Sequence, residues 1–124
     1  MSLERPQIEV PEGDAPYELQ IEDLVEGDGA EATKGSKVSV HYAGVAFSTG
    51  DEFDASWNRG QPFGFKLGKG QVIPGWDQGV EGMKVGGRRR LTIPSMLAYG
   101  PRGAGGVIKP HETLIFVVDL LAVD

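Results

Sequence analysis

The side chains with the clearest chemical potential in this sequence are aromatic, and most fall close to strand ends or loops. A ring offers a large, flat apolar surface, so several together can hold an apolar group by burial alone, without a nucleophile or a metal. An ordinary aromatic core is the alternative interpretation, since spacing alone does not separate a core from a pocket. The set comprises Tyr42, Phe53, Phe63, Phe65, Trp76, Tyr99 and Phe116.

One carboxylate stands directly beside this aromatic set. Asp54 follows Phe53 in the stretch "EFDAS". A carboxylate that is withdrawn from water needs a partner, and Arg59 in "WNRGQPF" is a nearby candidate. We therefore expect an ion pair at the edge of the aromatic set.

Nucleophilic and metal chemistry find little support in the sequence. No serine lies in a "GxSxG" elbow, and His41 and His111 are the only histidines that could serve as bases. The chain has no cysteine, which excludes disulfides and a thiol nucleophile. Because no "HxH" or "HExxH" spacing is present, we expect no metal, no cofactor, and structural or solvated roles for both histidines.

Two glycine clusters and an arginine run invite a nucleic-acid or phosphate interpretation. "GKGQVIPG" and "GPRGAGG" lack the spacing and the following Lys-Ser/Thr of a phosphate loop, so turns and a flexible rim are expected. "GVEG" resembles the clamp loop of a KH module only as letters, and its glutamate would repel phosphates. The run Arg88–Arg90 lies on a predicted strand, where neighbours point to opposite faces; we expect solvated charges at a sheet edge.

Composition predicts one domain without a membrane or nucleic-acid partner. The chain has 124 residues, 40% of them hydrophobic, which suits a single core. Its net charge of −6 disfavours non-specific binding to nucleic acid or anionic lipid, although a nucleic-acid-binding barrel using Arg88–Arg90 stays open as an alternative. The N-terminus has no apolar stretch flanked by positive charge, so we expect no signal peptide, no transmembrane span and a cytoplasmic location.

The elements that must position the aromatic set are mostly strands. Apolar alternation predicts half-buried strands, and "ETLIFVVDLLAV" predicts a long buried one. A hairpin bend is expected at Thr49 and Gly50. The predicted strands lie at residues 17–22, 36–44, 63–67, 88–94 and 112–123, and a further short strand follows the bend in "STGDEFDAS".

A single short helix is expected to begin at Pro74, where the missing proline N–H does no harm. Trp76, Val80 and Met83 then form one apolar stripe at i, i+4 and i+7. Glycine inside a helix costs about 1 kcal/mol, so the glycines between them must serve packing. One helix is the only available cover for the apolar face of the sheet, and Trp76 must point to the concave side.

The first 16 residues differ in composition from the rest. Prolines at positions 6, 11 and 16 alternate with acidic residues, which predicts an extended, weakly ordered tail ahead of a domain over residues 17–124. As an alternative, the stretch around Ile8 adds to a sheet edge.

The order of these motifs resembles the FKBP family of peptidyl-prolyl isomerases. The stretches that carry the resemblance are "VSVHYAG", "FDAS", "QPFGFKLGKGQVIPGWDQGVEGMKVGGRRRLTIP", "LAYG" and "HETLIFVVDLL", within residues 19–123. It implies an α+β fold with a five- to six-stranded antiparallel sheet wrapped around one short α-helix. It also implies catalysis of X–Pro isomerisation without a cofactor, and binding of proline-containing peptides, unfolded proteins and macrolides of the rapamycin type. We expect a monomer.

The resemblance also implies a role for each pocket position. Trp76 would form the base, and the Tyr99 hydroxyl and the Ile73 N–H would donate to carbonyls. Asp54 would take the place of the family's pocket aspartate, with Arg59 as its partner. The remaining implied residues are the wall residues Tyr42, Phe53, Phe63 and Phe116, the entrance residues Gln71 and Val72, and the loop tip Val107 and Ile108.

Three positions depart from the family pattern. Ala104 replaces a bulkier loop residue, Leu97 stands where many relatives have an aromatic residue, and Gln71 stands where a glutamate is frequent. These changes bear on substrate preference and macrolide affinity and leave the base of the implied pocket intact.

Overall fold

The chain folds into one antiparallel sheet packed on one helix. The computed structural model describes residues 3–124. Its elements are β1 (Gln20–Val25), β2 (Lys37–Ala46), β3 (Glu52–Ala55), β4 (Phe63–Lys66), α1 (Pro74–Val80), β5 (Arg88–Ile93) and β6 (Leu114–Val123). Short 3₁₀ turns lie at Ser56–Asn58, Ser95–Leu97 and Gly100–Arg102. The expected α+β architecture is confirmed.

The strand order places the longest strands at the centre of the sheet. It runs β1-β5-β6-β2-β3, and β4 pairs with β2 outside this path. The first half of β2 pairs with β4, and its second half pairs with β3 on the same edge. The sheet therefore curves around the helix, and the strands 52–55 and 63–66 open a gap between them.

Alternation along β6 gives the sheet two buried faces. Leu114, Phe116 and Val118 belong to the core on the helix side. Ile115 and Val117, which alternate with them, are equally buried but lie outside that core cluster. Since neighbours in a strand point to opposite faces, the outer face of the sheet is also covered.

The helix lies unusually close to the sheet because two of its residues lack a side chain. A Cβ added at Gly75 would lie 2.4 Å from Cγ2 of Ile93, and one at Gly79 would lie 2.7 Å from Cδ2 of Leu91. The expected packing role of these glycines is confirmed. The helix ends at Val80, before Met83, which is nonetheless buried in the core. No helix within residues 3–124 is long and apolar enough to cross a membrane.

The first strand departs from the expectation. It begins at Gln20 rather than Tyr17, and every one of its residues is exposed; Tyr17 is 87% exposed. The prediction of a half-buried strand over residues 17–22 was wrong because β1 is an edge strand that pairs only with β5. The single helix is too short to cover it.

The arginine run also departs from the expectation. Strand β5 lies between β1 and β6, so these charges are not at a sheet edge. Arg88 forms a buried ion pair with Asp119, 2.7 Å from Nε to Oδ1. Arg89 donates to the carbonyls of Gly79 and Glu81 at 2.9 and 3.0 Å. The expectation of solvated charges was wrong because each face of β5 offers a hydrogen-bond acceptor. Asp119 accepts from Arg88 on one face, and backbone carbonyls accept from Arg89 on the other.

The N-terminal segment, residues 3–16, contains no helix or strand. Ile8 makes no strand pairing there, so the edge-strand alternative is not realised. Residues 1 and 2 of the predicted tail lie outside the described residues, and the division at residue 16 stays a prediction. The segment does make polar contacts with the domain, among them Arg90 Nη2 donating to the carbonyl of Glu9 at 2.9 Å.

Candidate functional site

A cavity of about 190 Å³ opens where the curved sheet meets the start of the helix. Strands β2, β3, β4 and β6, the loop before α1, the helix and the loop after β5 each contribute to its lining. The lining residues are Tyr42, Phe53, Asp54, Phe63, Gln71, Val72, Ile73, Trp76, Tyr99 and Phe116. Ten of the thirteen residues implied by the sequence are thus brought together.

Trp76 forms the base of the cavity. Its side chain is 4% exposed, and its ring lies nearly perpendicular to those of Phe116 and Tyr42, at centroid distances of 5.2 and 4.8 Å. Edge-to-face packing of this kind is favoured between aromatic quadrupoles. The indole Nε1 has no hydrogen-bond partner within residues 3–124. Trp76 therefore offers the cavity an apolar ring held in one orientation.

The walls depend on a glycine that sequence analysis did not single out. Phe53 and Phe116 meet edge to face at 5.4 Å. A Cβ at Gly44 would lie 2.6 Å from Phe116 and 2.7 Å from Phe53, so only glycine leaves room for both rings. A glycine inside a strand pattern is itself a signal of close approach, and this one could have been read from the sequence.

A three-member polar network closes one side of the cavity. The Tyr42 hydroxyl donates to Oδ2 of Asp54 at 2.5 Å. Arg59 donates to Oδ1 of Asp54 at 3.0 Å and to the Tyr42 hydroxyl oxygen at 2.8 Å. Burial, followed by the hydrogen bond to Asp54, raises the pKa of Tyr42. The bonds to Tyr42 and then to Asp54 raise the pKa of Arg59, so the network holds one carboxylate in a fixed direction.

Tyr99 supplies a hydroxyl at the rim. The residue is 40% exposed and lies between two 3₁₀ turns. Burial of its ring, and then the charge of Asp54, raise the pKa of Tyr99. A raised pKa keeps the hydroxyl protonated, so that it can donate a hydrogen bond to a ligand.

The loop before the helix is held by Asp77, a second residue that sequence analysis missed. Its carboxylate accepts the backbone N–H groups of Gly68 and Gly70 at 2.8 and 3.1 Å. The side-chain oxygen of Gln71 accepts a hydrogen bond from the Lys66 N–H at 2.9 Å. These bonds fix the loop that carries Val72 and Ile73 to the rim. An acidic residue in the first turn of a helix that follows a glycine-rich loop is the signal that could have found it.

Three residues implied by the sequence lie outside the cavity lining. Arg59 contacts the cavity only through Tyr42 and Asp54. Val107 is exposed and lines a neighbouring depression with Phe53. Ile108 is 6% exposed and packs into the core, so the structure does not place it at a loop tip facing a ligand. Phe65 lies in the core beside Trp76.

A second cavity of about 180 Å³ lies at the far end of the helix. Asp23, Glu26, Lys84 and Arg89 contribute charge to it, and no aromatic side chain lines it. Arg89 is already bonded there to Asp23 and to the helix carbonyls. The aromatic cavity is therefore the candidate site.

Comparison with known proteins gives a consistent assignment. The family model described as "FKBP-type peptidyl-prolyl cis-trans isomerase" matches residues 29–121. The chain is 67% identical over 124 residues to an FK506-binding protein of Streptomyces anulatus, with 99% of this chain and 100% of the relative covered. It is 53% identical over 120 residues to a probable FK506-binding protein of Corynebacterium glutamicum, covering 97% and 99%.

Two solved structures share the fold. The crystal structure of AtFKBP13 matches with a TM-score of 0.78 and 43% identity, over 86% of this chain and 93% of the other. The crystal structure of FkpA from Escherichia coli matches with a TM-score of 0.77 and 40% identity, over 86% of this chain. The chain spans 48% of FkpA, which is the longer protein.

Proposed function

The chain belongs to the FKBP-type peptidyl-prolyl cis-trans isomerase family, and from that premise we propose that its aromatic cavity is the site of X–Pro isomerisation. Trp76 is the base on which the proline ring rests. Tyr42, Phe53, Phe63 and Phe116 enclose the ring, and Val72 forms part of the entrance.

The reaction to be accelerated is a rotation without covalent change. Amide resonance gives peptide rotation a barrier of about 18–20 kcal/mol, and uncatalysed X–Pro exchange takes tens to hundreds of seconds. In the twisted transition state the nitrogen loses conjugation and the carbonyl becomes less polar. Such a state is less dependent on water than the planar amide. An apolar cavity therefore binds the twisted form more tightly than the planar one, and differential binding is catalysis.

Specific groups of this chain would add to that preference. The Tyr99 hydroxyl, a cavity-lining group that is protonated near neutral pH, donates to one substrate carbonyl. The backbone N–H of Ile73 donates to a second carbonyl; the carbonyl of the same residue accepts the Trp76 N–H at 2.9 Å, which ties Ile73 to the first turn of the helix. Asp54, held by Tyr42 and Arg59, directs its field at the rotating amide, and its 44% exposed side chain leaves part of that field screened by water.

The expected rate acceleration sets how much transition-state stabilisation these groups must supply together. A 10⁶-fold acceleration corresponds to about 8 kcal/mol of transition-state stabilisation. Burial of one ring is worth about 1.5–3 kcal/mol, and each neutral hydrogen bond adds about 0.5–1.5 kcal/mol. No single residue is then sufficient, and activity depends on the whole cavity.

One observation carries the proposal: an indole that is 4% exposed still forms the base of an open cavity. A core tryptophan would be sealed by its neighbours. Here the rings of Tyr42, Phe63 and Phe116 meet it edge to face, and all four rings line the cavity.

The proposal is tested with Trp76→Leu and Asp54→Ala. Leucine keeps part of the buried volume, whereas alanine at position 76 would cost about 3–5 kcal/mol of stability and confuse the result. We expect each variant to lose about tenfold to hundredfold in kcat/KM on a proline tetrapeptide, because each removes one contribution to the transition state. Circular dichroism controls for folding. If both folded variants keep the full rate, the site assignment is wrong.

A module that captures proline-containing loops without turnover is the second candidate. The exposed side chains of Met96, three residues before Tyr99, and of Val107, in the depression beside Phe53, favour extended contact with a partner. Such a module predicts saturable binding of a proline peptide without any acceleration of its exchange. The presence of Trp76, Asp54 and Tyr99 in one cavity supports the enzyme instead.

We also propose a ligand, a cellular location and an oligomeric state for this protein. We propose that rapamycin-type macrolides compete with peptide for this cavity, and that the physiological substrates are unfolded proteins whose folding is limited by proline exchange. The cavity of about 190 Å³ is smaller than the roughly 300–1,000 Å³ of pockets that hold drug-sized ligands, so we propose that it takes a proline-sized part of the macrolide. A cytoplasmic monomer is the setting we propose.

A further inference from the structure

The N-terminal segment, residues 3–16, lies along the outer face of the sheet. Pro6, Ile8 and Val10 are half-buried, and the residues that alternate with them are exposed. Val10 approaches the β2–β3 turn, where its Cγ2 would lie 3.5 Å from a Cβ at Gly50. The segment thus presents every second side chain to the domain, as an extended chain must when it covers an apolar surface.

Two arginines of β5 hold the backbone of this segment. Arg88 donates to the carbonyl of Glu4, and Arg90 donates to the carbonyl of Glu9 at 2.9 Å. Arg88 is itself fixed by a bidentate ion pair with Asp119, with distances of 2.7 and 2.9 Å. The Asp119 side chain is only 4% exposed, so this anchor is rigid.

Arg5 reaches from the segment to the strand and turn that carry the polar network. Its Nη1 donates to Oδ1 of Asn58 at 2.6 Å, and its Nη2 pairs with Oε1 of Glu52. Asn58 Nδ2 donates to Oε2 of Glu52 at 3.2 Å, which closes a triangle. Glu52 lies two residues before Asp54, and Asn58 lies directly before Arg59.

Within the polar network of the cavity, Tyr42 is anchored by burial, at 7% exposed, whereas its two charged members are not. The side chains of Arg59 and Asp54 are 51% and 44% exposed, and exposed ion pairs contribute little stability on their own. Orientation of a catalytic carboxylate nevertheless matters, since small displacements reduce rate strongly. A third residue that joins both ends of the stretch 52–59 removes freedom from Asp54 and Arg59 at once.

We propose that Arg5 is a positioning residue for the isomerase site. It acts through Glu52 and Asn58 on the Asp54–Arg59 pair and touches no substrate. The N-terminal segment is then a strap that serves the cavity from the opposite face of the sheet. The expected effect on isomerase rate rests on the proposed function. The expected ordering of Asp54 and Arg59 by Arg5 rests on geometry alone.

The test uses the full chain with substitutions at the strap. Arg5→Ala removes both contacts, and Arg5→Lys retains a charge that can reach only one partner. Gln7→Ala is the matched strap control, because Gln7 is exposed two residues away. Lys37→Ala controls for loss of one positive charge. We expect Arg5→Ala to lower kcat/KM on a proline tetrapeptide by about threefold to tenfold. Arg5→Lys should recover part of the loss, and both controls should match wild type.

A double-variant comparison separates positioning from general destabilisation. In an Arg59→Ala background, Arg5→Ala should cause a smaller loss than in the wild-type background, because the route through Asn58 and Arg59 is broken and only the route through Glu52 to Asp54 remains. An equal loss in both backgrounds contradicts the proposal. So does a wild-type rate in the single variant.

An NMR measurement keeps the structural part testable by itself. Relaxation dispersion on the amides of residues 52–59 should show new exchange in Arg5→Ala but not in Gln7→Ala. Unchanged dispersion refutes the positioning role. If the wild-type protein itself accelerates no proline exchange, the proposed function fails, and this measurement still decides whether Arg5 orders the network.

Discussion

Trp76 is buried against the sheet and yet open to a cavity on one side. The rings around it meet it edge to face, which fixes its plane without covering it. Of the charged residues, Asp54 lines the cavity, whereas Arg59 lies outside the lining and bonds to both Asp54 and the Tyr42 hydroxyl. At the scale of single residues the site is therefore an apolar surface with one oriented carboxylate beside it.

Removing the rim hydroxyl should affect the transition state and not the fold. Tyr99→Phe keeps the ring and loses only the donor. We expect kcat/KM to fall by about twofold to tenfold, as a neutral hydrogen bond is worth roughly 0.5–1.5 kcal/mol. The midpoint of urea unfolding should stay at the wild-type value, since Tyr99 is 40% exposed. A wild-type rate in this variant contradicts the donor role.

The raised pKa values of Tyr42 and Tyr99 predict a loss of stability in strong base. Each tyrosine keeps its proton more tightly in the folded state than in the unfolded chain. Above the unfolded pKa of about 10 the unfolded chain binds fewer protons, so the free energy of unfolding falls as pH rises. The stability contribution is complete below pH 10. Denaturant unfolding across pH 8–12, with tyrosinate absorbance, checks this; a flat profile contradicts it.

Most of the cavity residues could be predicted from the sequence, because aromatic side chains and the Phe53–Asp54 pair carry their chemistry in their identity. Gly44 and Asp77 each carry a signal in the sequence, but the rings and backbone N–H groups that they meet are set by the fold and could not be predicted. Ile108 was implied at the site and lies in the core instead. The loop that carries Ile108 folds into a turn in which Ala104 and Ile108 form an antiparallel bridge. Nothing in the sequence of the loop predicts this bridge.

The helix and sheet were predictable where one face is buried. Strand β4 and the first half of β2 alternate because one face meets the helix-side core, whereas β6 is buried continuously over its first seven residues. The prediction for strand β1 was wrong because an exposed edge strand buries neither face, so apolar alternation in its sequence does not report burial. The roles of Arg88 and Arg89 depend on which strands flank β5, which is a property of topology and not of local sequence.

Close contact between helix and sheet predicts an unequal response to two glycine substitutions. Alanine is the better helix former by about 1 kcal/mol, but a Cβ at Gly75 would meet the branched Cγ2 of Ile93 at 2.4 Å. We expect Gly75→Ala to destabilise the protein by about 1–3 kcal/mol. Gly79→Ala should cost less, because it meets the ends of the more flexible Leu91 side chain.

Urea unfolding measures both variants, with Gln78→Ala as the control at an exposed helix position. The control should be neutral or slightly stabilising, as alanine has the highest helix propensity. If Gly75→Ala is as stable as the control, the close approach of α1 to β5 does not limit this position.

The molecule as a whole uses both faces of one sheet. The inner face and the helix build the cavity, while the outer face carries the N-terminal segment and the Arg88–Asp119 pair. A net charge of −6 gives no general attraction to nucleic acid. The three arginines of β5 bond to carboxylates or backbone carbonyls within the domain.

These internal contacts predict behaviour on a DNA column. Because Arg88, Arg89 and Arg90 are occupied, the protein should pass without retention at about 50 mM salt, where basic DNA-binding proteins are held strongly. Its elution volume on a sizing column should be that of a 13.3 kDa monomer. Salt-sensitive retention would instead support the nucleic-acid-binding alternative.

The central claim is that the Trp76 cavity holds a half-rotated prolyl amide better than water does. Exchange spectroscopy by NMR on the peptide Ala-Leu-Pro-Phe, without a coupled protease, measures this directly. At micromolar protein, the cis and trans signals should broaden through accelerated exchange, and rapamycin should reverse the broadening. Shifts that saturate without faster exchange, or an exchange rate equal to that of the free peptide, contradict the claim.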